Sequence, residues 1–317
     1  KPDYIILNSN QKYKKYVDPK YLQSIKNRVY KKDNYIIGDK YISKKDNNII
    51  EPRYFYLPLP KKLKYEKIKY FEIIPIYNGR YYHLNIIYSK KLLCPEEPKN
   101  INLNNSISID PGIVNFLIIF NPKGKLEIIK STYLTSIDRY FIKRISKLKS
   151  LLPKGQFTSK QIQSCLYKRE CKLKHYYITV ANYLANKYQE KEIFIVGYNQ
   201  GWKQKSKLRR KTNRLFQQIS FYRFYQILEQ QLSKKNIYLK KTEESYTSKI
   251  DSLVFEDMKT KKDFKGKRGP RGLFTSSNGK KINSDINGAI NIYRKIYDNV
   301  FEIPKSVYNP VIIKNLI

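Results

Sequence analysis

The pattern of apolar and polar positions changes character along the chain. Up to about residue 100 it is a series of short β-type runs rich in Tyr, Ile and Lys: Tyr35-Ile36-Ile37, Tyr41-Ile42, Tyr54-Phe55-Tyr56-Leu57 and Ile68 to Tyr77. Asn78-Gly79 then marks a tight turn into a strand from Arg80 to Tyr88, a strong hairpin signal. These runs predict a small all-β module over residues 1–100. Residues 92–105 carry two prolines and several asparagines and predict a linker.

Beyond the linker the periods alternate. Ile107 to Phe120 predicts two strands around the turn Asp110-Pro111-Gly112, and Lys125 to Lys130 a third. Apolar residues next recur at helical spacing: Ile137, Tyr140, Phe141, Ile145 and Leu148 within 133–150, then a longer amphipathic segment over 158–190. Ile193 to Val196 is a continuous apolar run, the mark of a strand buried on both faces. A helix carrying Phe221, Phe224, Tyr225, Leu228 and Leu232, a strand from Ile237 to Lys241, and a final helix complete the order. That last helix opens at Ser284-Asp285 and buries Ile286, Ala289, Ile290 and Tyr293. A three-stranded hairpin, helices, strand, helix, strand and helix is the order of an α/β RNase H-like domain. Its parallel strands would lie at 107–110, 192–196 and 237–242, within a domain spanning 101–317.

Charge narrows the class of partner. Lys and Arg number 64 against 26 Asp and Glu, a net charge of +38. Self-repulsion of that size is best explained by a polyanion, so nucleic acid is expected. The rival explanation is the codon bias of an AT-rich genome. No apolar run approaches the roughly 18 residues of a transmembrane helix, and no membrane partner is expected. The first residues, Lys-Pro-Asp-Tyr, lack Met and the features of a signal peptide, so the expected chain begins inside a longer protein. Three cysteines, Cys94, Cys165 and Cys171, cannot build a disulfide framework; buried free thiols in a reducing compartment are expected. His83 and His175 have no partner at ligand spacing, which points to core or surface positions.

Three carboxylates fall where strands or helices end: Asp110, Glu244 after the strand at 237–241, and Asp285 at a helix mouth. Each alone has a plain structural account, as a turn residue, a solvated charge and a helix N-terminal acid. Together, at the strand ends of one α/β fold, they predict a site for two Mg²⁺ ions roughly 4 Å apart that hydrolyses phosphodiesters. Mn²⁺ could substitute. Basic residues on the helices, Arg144 and Arg169, and in the loop Lys203, Lys205, Lys207, Arg209, Arg210 and Lys211 are expected to hold nucleic-acid backbone.

Four motifs carry a family resemblance over residues 55 to 298: Ile-Asp110-Pro-Gly, Glu244-Ser-Tyr-Thr-Ser-Lys249, Gly-Lys-Arg-Gly-Pro-Arg-Gly-Leu-Phe at 266–274, and Ile-Asn-Ser-Asp285-Ile-Asn-Gly-Ala-Ile-Asn-Ile292. In them the chain resembles the TnpB/Fanzor group, transposon-associated RNA-guided DNA endonucleases related to type V CRISPR effectors. The resemblance implies a RuvC-like nuclease domain preceded by a small all-β, wedge-like barrel module and a remnant of a recognition lobe. It also implies a guide (omega) RNA and a double-stranded DNA target beside a short flanking motif, handled by a monomeric protein in a ribonucleoprotein. A eukaryotic or viral Fanzor would work in the nucleus, a bacterial TnpB in the cytoplasm.

Two departures from the family pattern stand out. Many members carry the second catalytic glutamate just after the strand at 192–196, where this chain has Gly197. Glu244 matches the alternative position used by Fanzor proteins and some TnpB relatives, with Glu243 as its neighbour. The usual Cys-x-x-Cys pairs are also missing; Asp251 and Val254 stand near the place of the first, so a zinc-free, degenerate ribbon-like insertion is expected at about 246–281. Two further readings remain open: a catalytically silent RNA-guided DNA-binding protein, and a guide-independent resolvase or transposase on the same fold.

Overall fold

The computed structural model describes residues 29–32, 35–38, 56–58, 67–89, 95–99, 102–198, 213, 219–258, 263–297, 301–314 and 316. The chain divides into two compact units, one of residues 1–91 with 152–167, the other of 92–151 with 168–317. The expected strand Tyr41-Ile42, Cys94 and the basic loop 203–211 lie outside the described residues.

In the first unit, β1 (Val29–Lys32), β2 (Tyr35–Gly38) and β3 (Tyr56–Pro58) form an antiparallel sheet, and β4 (Lys67–Ile76) pairs with β5 (Tyr81–Ser89) as a long hairpin. The turn between β4 and β5 takes four residues, because Tyr77, Asn78 and Gly79 all adopt positive φ (51°, 56° and 75°) and Arg80 N–H closes on the Tyr77 carbonyl at 3.2 Å. Tyr81 stacks on Tyr167 with ring centroids 4.0 Å apart, and its hydroxyl donates to Ser164 Oγ at 3.0 Å. His83 is exposed on β5.

The second unit is built on β6 (Ser106–Pro111), β7 (Asn115–Phe120), β8 (Glu127–Lys130), β9 (Ile193–Gly197), β10 (Tyr238–Thr242) and β14 (Val311–Ile313). Their order in the sheet is β10-β9-β6-β7-β8-β14. β6, β7 and β8 run antiparallel, while β9 lies parallel to β6 and β10 parallel to β9. The three strands expected to be parallel are therefore neighbours, and their carboxyl ends share one edge. β14, which the pattern did not announce, adds parallel to β8 at the far edge.

Helices cover both faces. α1 (Thr132–Ser150), α2 (Lys160–Lys187) and α3 (Phe221–Ser233) follow the predicted segments closely, as does α4 (Ser284–Arg294). α4 buries Ile286, Ala289, Ile290 and Tyr293 against Ile118, Phe120, Ile193 and Ile195. Phe116 instead meets aromatic side chains of α2 and α3, Tyr177 at 5.9 Å and Phe224 at 5.0 Å between centroids. A bulge between Asn115 and Leu117 shifts the alternation of β7 and accounts for this change of face. Between β10 and α4, the strands β11 (Lys267–Arg268), β12 (Leu273–Thr275) and β13 (Lys281–Asn283) make a small antiparallel sheet.

Two expectations need correction. Tyr140 is 56 % exposed rather than part of the buried stripe of α1, with its hydroxyl accepting from Arg144. Cys165 is buried but Cys171 is exposed. Six residues of helix turn the second thiol about 240° from the first, away from the face that is covered.

Candidate active site

Parallel β6, β9 and β10 deliver three chain segments to one sheet edge, and α4 crosses that edge. Asp110 is the penultimate residue of β6. Gly197 ends β9, and Tyr198 N–H donates to the Thr242 carbonyl at 2.8 Å, holding the ends of β9 and β10 together just before Glu244. Asp285 stands in the first turn of α4, where Asn283 caps the helix by accepting from the Asp285 N–H at 2.8 Å. A negative charge at a helix N-terminus is favourable there.

Three glycines make the close approaches possible. A Cβ on Gly197 would lie 2.1 Å from Glu244 Oε1, so the Glu244 carboxylate occupies the space a side chain at 197 would need. A Cβ on Gly288 would lie 2.4 Å from Asp110 Oδ2, which lets α4 pass directly over the Asp110 carboxylate. A Cβ on Gly112 would lie 2.6 Å from the Asn115 carbonyl oxygen, so the Asp-Pro-Gly turn closes only without one.

The electrostatics agree with this crowding. Burial, then the charges of Glu244 and Asp285, push the Asp110 carboxyl well above the usual range, against a smaller lowering by Arg268. Burial pushes Glu244 up to about 7, with Lys295 acting in the opposite direction. Lys295 is itself pulled below its ordinary value by burial, offset by the charges of Glu243 and Glu244. Tyr225, whose hydroxyl donates to the Gly197 carbonyl at 2.8 Å, is raised by burial and by the charges of Glu244 and Asp110. Asp285 Oδ2 accepts from Asn115 Nδ2 at 2.8 Å, and its Oδ1 faces Arg268 at 3.6 Å.

The charges of Glu244 and Asp285 both act on Asp110, and it is the carboxylate of Glu244 that lies over Gly197. Sequence reasoning missed Asn115, Lys130, Lys295 and Tyr225 around them. Of these, Tyr225 sat on a stripe that marked it only as core, and a lone Asn or Lys gives no signal. The basic residues divide. Arg144 is exposed, whereas Arg169 reaches the buried Asp138 at 3.4 Å. Lys203, Lys205, Lys207, Arg209, Arg210 and Lys211 lie outside the described residues.

The site fits a hard divalent cation by its chemistry: oxygen donors only, half-buried, and like-charged at close quarters. Among the described residues, however, no three His, Cys, Asp or Glu side chains come together closely enough to hold a metal ion. Asp285 is engaged by Asn115 and Arg268.

Between β10 and α4, the buried carboxylates of Asp251 and Glu256 organise a hydrogen-bond network. Asp251 Oδ2 accepts from Ser276 Oγ (2.7 Å), Ser277 N (2.7 Å) and Ser277 Oγ (3.2 Å). Glu256 accepts from the backbone of Asp251 and of Lys265. Asn287 and Asn291 of α4 both donate to the Ile250 carbonyl, at 2.8 and 2.7 Å, and tie the segment to the helix that carries Asp285.

Two family models match the chain: the probable-transposase family OrfB_IS605 over residues 90–203, and the Cas12f1-like TNB domain over residues 221–292. The first ends on the segment after Gly197 and the second includes Glu244 and Asp285. No curated protein matches the sequence. Among solved structures, a chain of the Cas12f1–sgRNA–target DNA complex superposes with a TM-score of 0.53 and 14% identity, over 84% of this chain and 61% of that one. At that identity the likeness is one of fold, a mixed α/β fold. A chain from a CRISPR–Cas12f ternary complex superposes more loosely, with a TM-score of 0.47 and 15% identity over 87% of this chain and 62% of that one. The chain therefore spans about three-fifths of the Cas12f chains it resembles. By its two family matches, over residues 90–203 and 221–292, the chain is a relative of the TnpB-like transposases and the type V effectors.

Proposed function

We propose that this protein is an RNA-guided, metal-dependent DNA endonuclease whose RuvC-like site is formed by Asp110, Glu244 and Asp285. The observation that carries this reading is the Glu244 carboxylate seated over Gly197, beside an Asp110 already raised by the charges of Glu244 and Asp285. Mutual repulsion of that kind is relieved by cations, and Arg268 and Lys295 are the nearby positive charges that act on these acids.

The three carboxylates would hold the divalent ions, with Mg²⁺ the natural choice and Mn²⁺ a substitute. When bound, such ions activate a water and neutralise charge on the attacked phosphate. The chain's own residues do the rest. Gly197 and Gly288 leave room for Glu244 and Asp110, α4 presents Asp285, and Tyr225 holds the end of β9. Exposed cations on α1, Arg144 among them, would track phosphates, and the β module of the first unit would act as the wedge that grips guide RNA and the adjacent duplex. Guide pairing would supply sequence specificity, as in other RNA-guided effectors. The Cas12f1 relative was solved with guide RNA and target DNA, which supports both partners.

A plasmid-cleavage assay with the protein and its co-purified RNA tests this. Asp110→Ala, Glu244→Ala and Asp285→Ala should each abolish Mg²⁺-dependent cutting while RNA binding persists. Binding without nicking under any divalent metal would leave a silent binder. Cutting by protein that carries no RNA of defined length would favour the transposase reading, which the OrfB_IS605 match keeps alive.

A further inference from the structure

Asn115 is 3 % exposed and opens β7, where it lies directly across from Lys130 of β8. Its Oδ1 accepts from Lys130 Nζ at 2.7 Å, and its Nδ2 donates to Asp285 Oδ2 at 2.8 Å. Chemistry fixes the direction of this chain. An ammonium can only donate and a carboxylate can only accept, so the amide has one orientation that satisfies both neighbours. The opposite orientation would set N–H against ammonium and oxygen against carboxylate.

Main-chain features bring Asn115 to this place. The Asp110-Pro111-Gly112 turn closes onto its carbonyl, and the bulge that follows puts Asn115 out of step with Leu117. The helix cap at Asn283 fixes the backbone of Asp285 but not its side chain. The two carboxylate oxygens are set by Asn115 on one side and face Arg268 on the other.

We infer that Asn115, itself oriented by Lys130, is a positioning residue that sets the Asp285 carboxylate for divalent-ion binding. This rests on the nuclease reading above. A carboxylate ligand that must present one oxygen to an ion is served by a neutral donor on its other oxygen, which adds no competing charge. Loss of such an outer partner typically costs about 10- to 100-fold in metal affinity.

The test is Mn²⁺ binding by the full chain, followed by electron paramagnetic resonance and by calorimetry, with unfolding midpoints measured alongside. Asn115→Leu should weaken Mn²⁺ binding by about 10- to 100-fold. Lys130→Met, at a partly exposed position, should weaken it in the same direction and by less, and Lys130→Arg should restore it. The double variant should be no weaker than Asn115→Leu alone, because Lys130 acts through the amide. Wild-type affinity in a folded Asn115→Leu or Lys130→Met variant, or additive losses in the double variant, would overturn the assignment alone. A wild-type chain that binds no Mn²⁺ would overturn the nuclease reading and the assignment with it.

Discussion

The carboxylate of Glu244 fills the place of the side chain that Gly197 lacks: a Cβ at 197 would stand 2.1 Å from Glu244 Oε1. The two residues lie at the ends of adjacent parallel strands, β9 and β10. Any side chain at 197 would therefore have to displace the Glu244 carboxylate.

Gly197→Ala follows from that contact. Its methyl group must displace Glu244, and a misplacement of about 1 Å at a reacting group can cost on the order of 10²-fold. Cleavage by Gly197→Ala should fall by at least that much, while the unfolding midpoint changes little. An active Gly197→Ala enzyme would mean that Glu244 is not the second acid.

The raised carboxylates also set a pH dependence of stability. Glu244 is pushed from an ordinary 4.5 up to about 7, and Asp110 moves in the same direction. Folding then favours the protonated forms. The stabilisation is complete below about pH 4.5 and is lost as pH rises through 7, about 3 kcal/mol for Glu244. Chelator-treated protein should lose stability across that window. Glu244→Gln should flatten the loss, and Mg²⁺ should stabilise wild type more at pH 8 than at pH 5. Equal slopes for wild type and Glu244→Gln in urea titrations would refute this.

Asp251 is fully buried and accepts from Ser276, Ser277 and the Leu253 N–H. Asp251→Ala leaves those donors unsatisfied, and should destabilise the protein by about 3 kcal/mol. Zinc chelators should leave the wild-type midpoint unchanged, since carboxylates and amides hold the segment. Chemical denaturation measures both.

Arg144 and Arg169 should part company in binding assays. Arg144→Ala should reduce the salt dependence of nucleic-acid affinity by about one unit of log–log slope. Arg169→Ala should instead lower stability by about 1–3 kcal/mol, because Asp138 is 4 % exposed and loses its guanidinium. A salt slope altered by Arg169→Ala at unchanged stability would reverse that division.

What was legible in the sequence was whatever repeats with a local period or stands alone chemically. Strand and helix periods located β6 to β10 and helices α1 to α4 within a few residues, because burial on one or two faces imprints the period directly. That Asp110 lies at the end of a strand, Glu244 after one and Asp285 at a helix mouth was legible, because strand and helix ends carry local signals. Tertiary structure decided which groups answer them. Gly197 and Gly288 matter for atoms that arrive from Glu244 and Asp110, 47 and 178 positions away. Asn115 matters through a bulge and a distant carboxylate, and Asp251 through a hydrogen-bond network. β14 is too short, at three residues, to leave a periodic signal. A side chain's local neighbours are written in order along the chain, but an empty volume or an amide held between two charges exists only once the chain has closed on itself.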